Sequence, residues 1–277
     1  VNEPVGPGDV PDRRARFVVA YDGAHFKGFA NTPGEPTVQA SLESALSLIA
    51  RRPVSLIGAG RTDAGVHGWG QVFSCDLPGT LKMREVIKRL NGLCAPHIGV
   101  RSGEWAPDDF DARFSAQWRH YRYHVLNSPT PNPLMDERVW HVRAPLNLPL
   151  MQLACDPLIG EHDFTSFCRK PKPSPGHYER SMRRRVILAR WSSVPDDHLG
   201  PDDRMLRFEI RANAFCHQMV RSIVGTLVDV GMGKIQAGDM RGILAAQHRN
   251  AAGAVAPPQG LCLWHVGYPV SDPTRRD

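Results

Sequence analysis

No apolar run in this chain approaches the roughly 18 residues that cross a bilayer. The opening stretch VNEPVGPGDVPDRRAR also lacks the apolar core that a secretory signal needs. Neither a membrane span nor an exported product is therefore expected, and residues 1–13 read as a flexible lead-in. The six cysteines (Cys75, Cys94, Cys155, Cys168, Cys216, Cys262) are scattered, include no C-x-x-C pair and fall mostly in apolar stretches. That spacing favours buried thiols in a reducing, cytoplasmic setting over disulfides or zinc. Acidic residues are scarce in one segment above all. From Arg169 to Arg190 eight basic residues face Glu179 alone, a local excess larger than the +6 of the whole chain. Such a cluster suits a polyanion, each neutralised phosphate adding a salt-sensitive increment of affinity. A solvated basic loop is the plain alternative. No amphipathic basic helix accompanies the charge, which disfavours a membrane surface.

What is present is an ordinary globular composition, 277 residues with 42% hydrophobic and 22% charged, enough for one large or two moderate domains. Its first half reads strand, helix, strand, strand, helix, strand. RFVVAY (16–21) is β-rich, and Thr37 opens a helix whose Val38, Leu42, Ala45, Leu46 and Ile49 share a face. VSLIGAG and GQVFSCDL are strands, MREVIKRLNGLC is a helix and GVRSGEW closes the unit. The second half repeats the order with a long strand over 112–127, a weaker helix around 148–158, and strands RRRVILARWSSV and MLRFEIRANAF. Helix HQMVRSIVGTLVDVG, a short helix near 239–247 and strand GLCLWHVGY follow. This is a split βαβ, ferredoxin-like order given twice. It implies an α+β protein of two halves, 14–109 and 110–270 with a tail at 271–277. They share a mostly antiparallel mixed sheet with helices on one side and a site in the cleft where they meet.

Two segments carry candidate chemistry. In GAGRTDAGVHGWGQV (58–72), Arg61, Asp63 and His67 stand on a glycine-rich connection, where the backbone can approach a ligand closely. The third position of a G-x-G-x-x-G fingerprint is taken by Asp63, and no Gly-Lys-Ser/Thr follows, so neither a dinucleotide site nor a P-loop is indicated. Asp63 and His67 have the i, i+4 spacing of helical metal ligands, but the glycines oppose a helix, and no metal is expected. A hairpin with a local Arg–Asp pair is the bland reading. In the strand WRHYRYHVL, Arg119, Tyr121, Tyr123 and Val125 project to one side, and Trp118, His120, Arg122, His124 and Leu126 to the other. Interleaved aromatic and basic side chains suit single-stranded nucleic acid. Cross-strand packing is the competing reading and the favoured one for Tyr123.

At these residues the sequence resembles a known family. GRTDAGVHGWGQV (60–72) looks like the catalytic loop of TruA-type tRNA pseudouridine synthases. YDGAHFKGF, FDARFSAQWRHYRYHV, GEHDFTSF, FCHQMVRSIVGTL and APPQGLCLWHVGY agree with the family in the same order. The resemblance implies isomerisation of uridine to pseudouridine in the anticodon stem-loop of tRNA, at positions 38 to 40, by a homodimer without metal or organic cofactor. By the same resemblance Asp63 is the essential carboxylate and Tyr121 stacks on the target uracil. Arg61 holds the backbone or helps displace the base, and Arg221 pairs with Asp63. His67 is expected to make a structural hydrogen bond within the loop. One departure concerns GFANTPGEPTVQ (28–39), which has Phe29 at the family's aromatic position but lacks the usual glutamine- and arginine-rich residues after it. A non-catalytic RNA-binding protein of the same architecture is the alternative, as is a hydrolase using Asp63 and His67, which lacks a G-x-S-x-G nucleophile motif.

Overall fold

In DRRARFVVAY every second residue from Ala15 is apolar, and the segment forms strand β1 (Asp12–Tyr21), with Ala15, Phe17, Val19 and Tyr21 buried. The structure, a computed structural model, describes residues 11–169, 181–195 and 199–269. Contacts divide the chain into two units, one of Val1–Gln117 with Val266–Asp277 and one of Trp118–His265. The expected lead-in up to residue 10, the tail, and Lys170, Lys172 and Arg180 of the basic segment lie outside the described residues.

In the first unit, Thr37 caps helix α1 (Val38–Ala50), its side chain accepting from the Ala40 N–H. Strands β2 (Leu56–Gly58) and β3 (His67–Pro78) pair antiparallel, helix α2 (Met83–Cys94) follows, and β4 (Ile98–Trp105) closes the unit. β1 lies between β3 and β4, antiparallel to both, with Phe17 opposite Phe73 and Gly103. Leu42, Leu46 and Ile49 of α1 and Val86 and Leu90 of α2 join the buried face of β1 and β3 in one core. Both helices therefore cover the same side of these strands. Each such side chain contributes about 1.5–3 kcal/mol by leaving water. The opposite side is polar at its margin, where Arg14 pairs with Asp76 at 2.8 Å and Arg16 with Glu104 at 3.0 Å.

The second unit opens with β5 (Trp118–Asn127), to which β6 (Trp140–Val142) pairs in parallel. After α3 (Leu148–Leu153), strands β7 (Gly160–Asp163), β8 (Arg183–Val194) and β9 (Arg204–Ala212) run antiparallel in the order β7-β8-β9-β5. Helices α4 (Met219–Gly231) and α5 (Met240–Ala246) precede β10 (Leu261–Gly267), which lies beside β5. α4 is apolar nearly all round and is buried accordingly. The α+β class and the predominance of antiparallel pairs are as the element order implies.

Several boundaries differ from expectation. The strand expected over 112–127 begins only at Trp118, because Asp111 turns the chain: its Oδ1 accepts from the N–H groups of Arg113 at 2.7 Å and Phe114 at 2.8 Å. VSLIGAG contributes only Leu56–Gly58, and the helix near 148–158 stops at Leu153, with Pro157 in a separate 3₁₀ turn. β9 ends at Ala212, where the Asn213 Oδ1 accepts from Arg185 and Ala214 N–H groups. β6 and β7 are too short to show a period, and neither was expected.

Candidate active site

The connection from β2 to β3, residues 59–66, is fastened at every turn. The Ala59 N–H donates to Val72 O at 2.8 Å, and Gln71, fully buried, donates from Nε2 to Gly60 O at 2.8 Å. Thr62 is buried, its hydroxyl 2.8 Å from the Tyr21 hydroxyl and its carbonyl accepting from the Phe29 N–H at 3.1 Å. The Val66 N–H returns to Asp63 O at 3.1 Å, closing a turn in which Gly65 has φ of 77°. An L side chain takes that conformation only at a cost, which explains glycine there. Phe29 is 1% exposed and packs its ring 6.0 Å from that of Tyr21 beneath the loop. In this loop Asp63 is half-buried, and Arg61 and Ala64 are exposed.

His67 stands in β3 and not in the loop. Its Nδ1 accepts from the Gly23 N–H at 3.1 Å and lies 3.1 Å from Asp22 Oδ1, which itself accepts from the Ala24 N–H. One nitrogen cannot accept from Gly23 and donate to Asp22 together. With the ring neutral the backbone bond holds and the proton sits on Nε2. The ring thus ties β3 to the turn after β1: the bond is structural, but it runs to Gly23 and not within the loop as expected.

In the second unit, Tyr121 lies opposite Ile210 of β9, is 7% exposed, and meets Phe215 edge-on with ring centroids 5.0 Å apart. Tyr123, two residues on, is fully buried and donates from its hydroxyl to Pro257 O at 2.8 Å. Burial pushes its phenol pKa upward, opposed by the Arg221 charge. It is a packing residue. Arg221 is half-buried on α4; its Nε donates to Ala256 O at 2.8 Å, and the Ala256 N–H donates back to Arg221 O at 3.1 Å. Gln218, capping the helix three residues earlier, has φ of 62°, a strained position for a side chain other than glycine. The four expected site residues thus fall into two sets, Arg61 and Asp63 in the first unit and Tyr121 and Arg221 in the second.

The polar face of β5 is internally paired. The Arg122 guanidinium lies 3.9 Å from the Trp264 ring centroid, and that of Arg211 lies 4.4 Å from the Trp118 centroid. Beneath them Glu209, 1% exposed, receives Arg122 Nε at 2.9 Å and Arg190 NH2 at 2.7 Å. Burial alone would raise the Glu209 pKa; the bonds from Arg190 and Arg122 and the charge of Arg207 outweigh it and hold the carboxylate ionised. Nothing in the sequence singled out Glu209 beyond its being a lone acid amid arginines. Among the described residues no group of three or more His, Cys, Asp or Glu could hold a metal ion, and no helix is long and apolar enough to cross a membrane.

Comparison with known sequences decides the family. A profile described as tRNA pseudouridine synthase matches residues 17–115 and 154–269. The chain belongs to the tRNA pseudouridine synthase family. Proteins called tRNA pseudouridine synthase A share 39% identity in Brevibacillus brevis (92% of this chain, 100% of the relative) and 40% in Rhodopseudomonas palustris (92% and 99%). The relative in Nitrobacter winogradskyi is 38% identical over 95% of this chain and 99% of its own. A chain from the crystal structure of a Cbf5-Nop10-Gar1 complex, at 16% identity and a TM-score of 0.30, covers 78% of this synthase-family chain and 45% of its own; that likeness is too slight to carry weight. The bonds of the 59–66 loop fix the backbone on both sides of the Asp63 carboxylate.

Proposed function

We propose that this protein isomerises uridine to pseudouridine in tRNA, with Asp63 as the catalytic carboxylate. The observation that carries the reading is Asp63 itself, half-buried in a loop whose backbone is fixed on both sides by the bonds of Gly60, Thr62 and Val66. Isomerisation breaks the N1–C1′ bond, turns the base while it stays bound, and joins C5 to C1′. A carboxylate begins this either by attack on the nucleoside or by taking the C2′ proton, and both routes start from an Asp63 oxygen. Tyr121 stacks on the uracil once it has left the helix, Arg61 assists its displacement, and Arg221 is, by the family resemblance, the partner of the Asp63 carboxylate.

The substrate is the anticodon stem-loop, at positions 38 to 40, and the working form is a cytoplasmic homodimer, as the family resemblance implies. The described part of the basic segment, Arg169, Arg183, Arg184, Arg185 and Arg190, supplies phosphate contacts. Incubating the protein with uridine-labelled, unmodified tRNA and separating the digested nucleosides tests the reading. Pseudouridine should form without added cofactor, and tRNAs bearing a single candidate uridine assign the positions. Binding of tRNA with no pseudouridine at any position would instead favour a non-catalytic RNA-binding protein.

A further inference from the structure

Strand β1 is bulged against both of its neighbours. In the pair with β3, Val19 faces Gln71 and Tyr21 faces Gly68, so Ala20 alone stands opposite Trp69 and Gly70. In the pair with β4, Val18 faces Ser102 and Val19 faces Val100, which leaves Arg101 as the extra residue. Side chains from the two bulges meet. The Arg101 guanidinium carbon lies 4.1 Å from the Trp69 ring centroid, and one of its terminal nitrogens donates to Trp69 O at 3.1 Å. Bulges re-aim side chains and gather beside active sites. β3 is fixed one residue earlier, where Gly68 packs so close to the Tyr21 ring that a Cβ would collide with it. Held in this way, Trp69 remains 43% exposed, and Arg101 is exposed beside it.

Trp69 follows Asp63 by six residues. The turn closed by the Val66 N–H spans less than about 7 Å between Cα atoms, and the extended chain from Val66 to Trp69 adds about 10 Å. The Cα atoms of Asp63 and Trp69 therefore stand within about 17 Å, the length of about five stacked nucleotides at ~3.4 Å each. We infer that Trp69 and Arg101 form a contact for the RNA beside the target uridine: an unpaired base stacks on the indole, and the guanidinium takes a neighbouring phosphate. An indole offers a π-face to any base, and the cation on the same ring supplies charge for the backbone. A guanidinium carries five N–H donors, of which the Trp69 carbonyl takes one, so Arg101 can hold the ring and a phosphate together. The inference rests on the function proposed above and leaves its residues unchanged. A plain clamp from β4 to β3 over β1 would use the same two contacts, but it needs neither an indole nor a cation at the surface.

Filter binding with an unmodified tRNA transcript reads the contact whether or not pseudouridine forms. Trp69→Ala should weaken binding by about 10- to 100-fold, the loss of one stacked base, while Trp69→Phe should stay within a few-fold of wild type. Arg101→Gln should weaken it several-fold and lower the slope of log affinity against log salt by about one. Urea titration separates these losses from unfolding. Bound tRNA should also quench the tryptophan emission of the wild type more than that of Trp69→Phe, a comparison that does not depend on the alanine variant. Wild-type affinity in Trp69→Ala, or equal quenching in the two proteins, would overturn the inference. So would altered sedimentation of Trp69→Ala with unchanged affinity, which would make this face a contact between copies of the chain. Weak binding by Trp69→Ala, with no pseudouridine made by the wild type, would keep the contact and refute the isomerase reading; pseudouridine from the wild type with unchanged Trp69→Ala affinity would refute the contact alone.

Discussion

Replacing Gly23 with alanine drives a methyl group into the Val66 carbonyl oxygen and to within 2.9 Å of the Gly65 carbonyl carbon. Carbon atoms in contact normally sit about 3.5–4.0 Å apart, so the backbone over 65–67 has to withdraw by about 1 Å. Neither side yields cheaply. The Gly23 N–H is bonded to buried His67, and Val66, 2% exposed, is bonded through its own N–H to the Asp63 carbonyl. The displacement therefore passes to Asp63. A misplacement of about 1 Å in a reacting group costs on the order of 10²-fold in rate, and overpacking of this kind costs about 1–3 kcal/mol in stability. The assay is kcat/KM for pseudouridine formation on an unmodified transcript, with tRNA affinity by filter binding and stability by urea titration. The expected result is a rate loss of about 100-fold with binding within a few-fold of wild type. Gly92→Ala is the control: it lies in α2 with open space around its Cβ, should leave the rate unchanged and should add about 0.5–1 kcal/mol of stability. A Gly23→Ala protein that works at the wild-type rate would refute the idea that the loop is held in place against this glycine.

Three further outcomes follow from the geometry. Glu209→Gln removes the carboxylate shared by Arg122 and Arg190, and since both cations retain access to water the loss should be about 2–3 kcal/mol in urea titration; a loss near zero would mean that the cluster is only a solvated surface pair. Burial, with nearby arginine charge, lowers both His120 and His124 to about 4, below the ordinary 6.5. The unfolded chain therefore takes up protons first, and stability falls as pH drops from about 6.5 to 4, by up to about 3 kcal/mol for each histidine; replacing His120 with glutamine should flatten that slope, and an unaltered slope would contradict the assignment. Arg183→Glu with Arg185→Glu should weaken tRNA binding and reduce its dependence on salt, and unchanged affinity and slope would remove this segment from the RNA contact.

Much of this protein was legible because its elements obey their periods. The stripe from Val38 to Ile49 and the alternation in β1 and β9 give helix and strand directly, and Thr37 marks the start of α1. Reading failed where a single side chain redirects the backbone. Asp111 and Asn213 bond to neighbouring N–H groups and cut their strands short, although the flanking composition still looks β-rich. The candidate site divides the same way. Asp63 stands out by motif, but the constraints on it are tertiary: Tyr21 reaches Thr62, Gln71 reaches Gly60, and Gly23 makes room for Val66. The pairing of Glu209 with Arg122 and Arg190 depends on the register of β5, β8 and β9, which no local pattern encodes.

The central claim is that one carboxylate carries the chemistry while the rest of the protein binds and positions the RNA. Asp63→Ala, assayed with labelled tRNA for pseudouridine and by filter binding for affinity, tests this most directly. No detectable pseudouridine and a tRNA affinity within a few-fold of wild type are the expected results. Pseudouridine formed by the alanine variant at a rate comparable to wild type would contradict it.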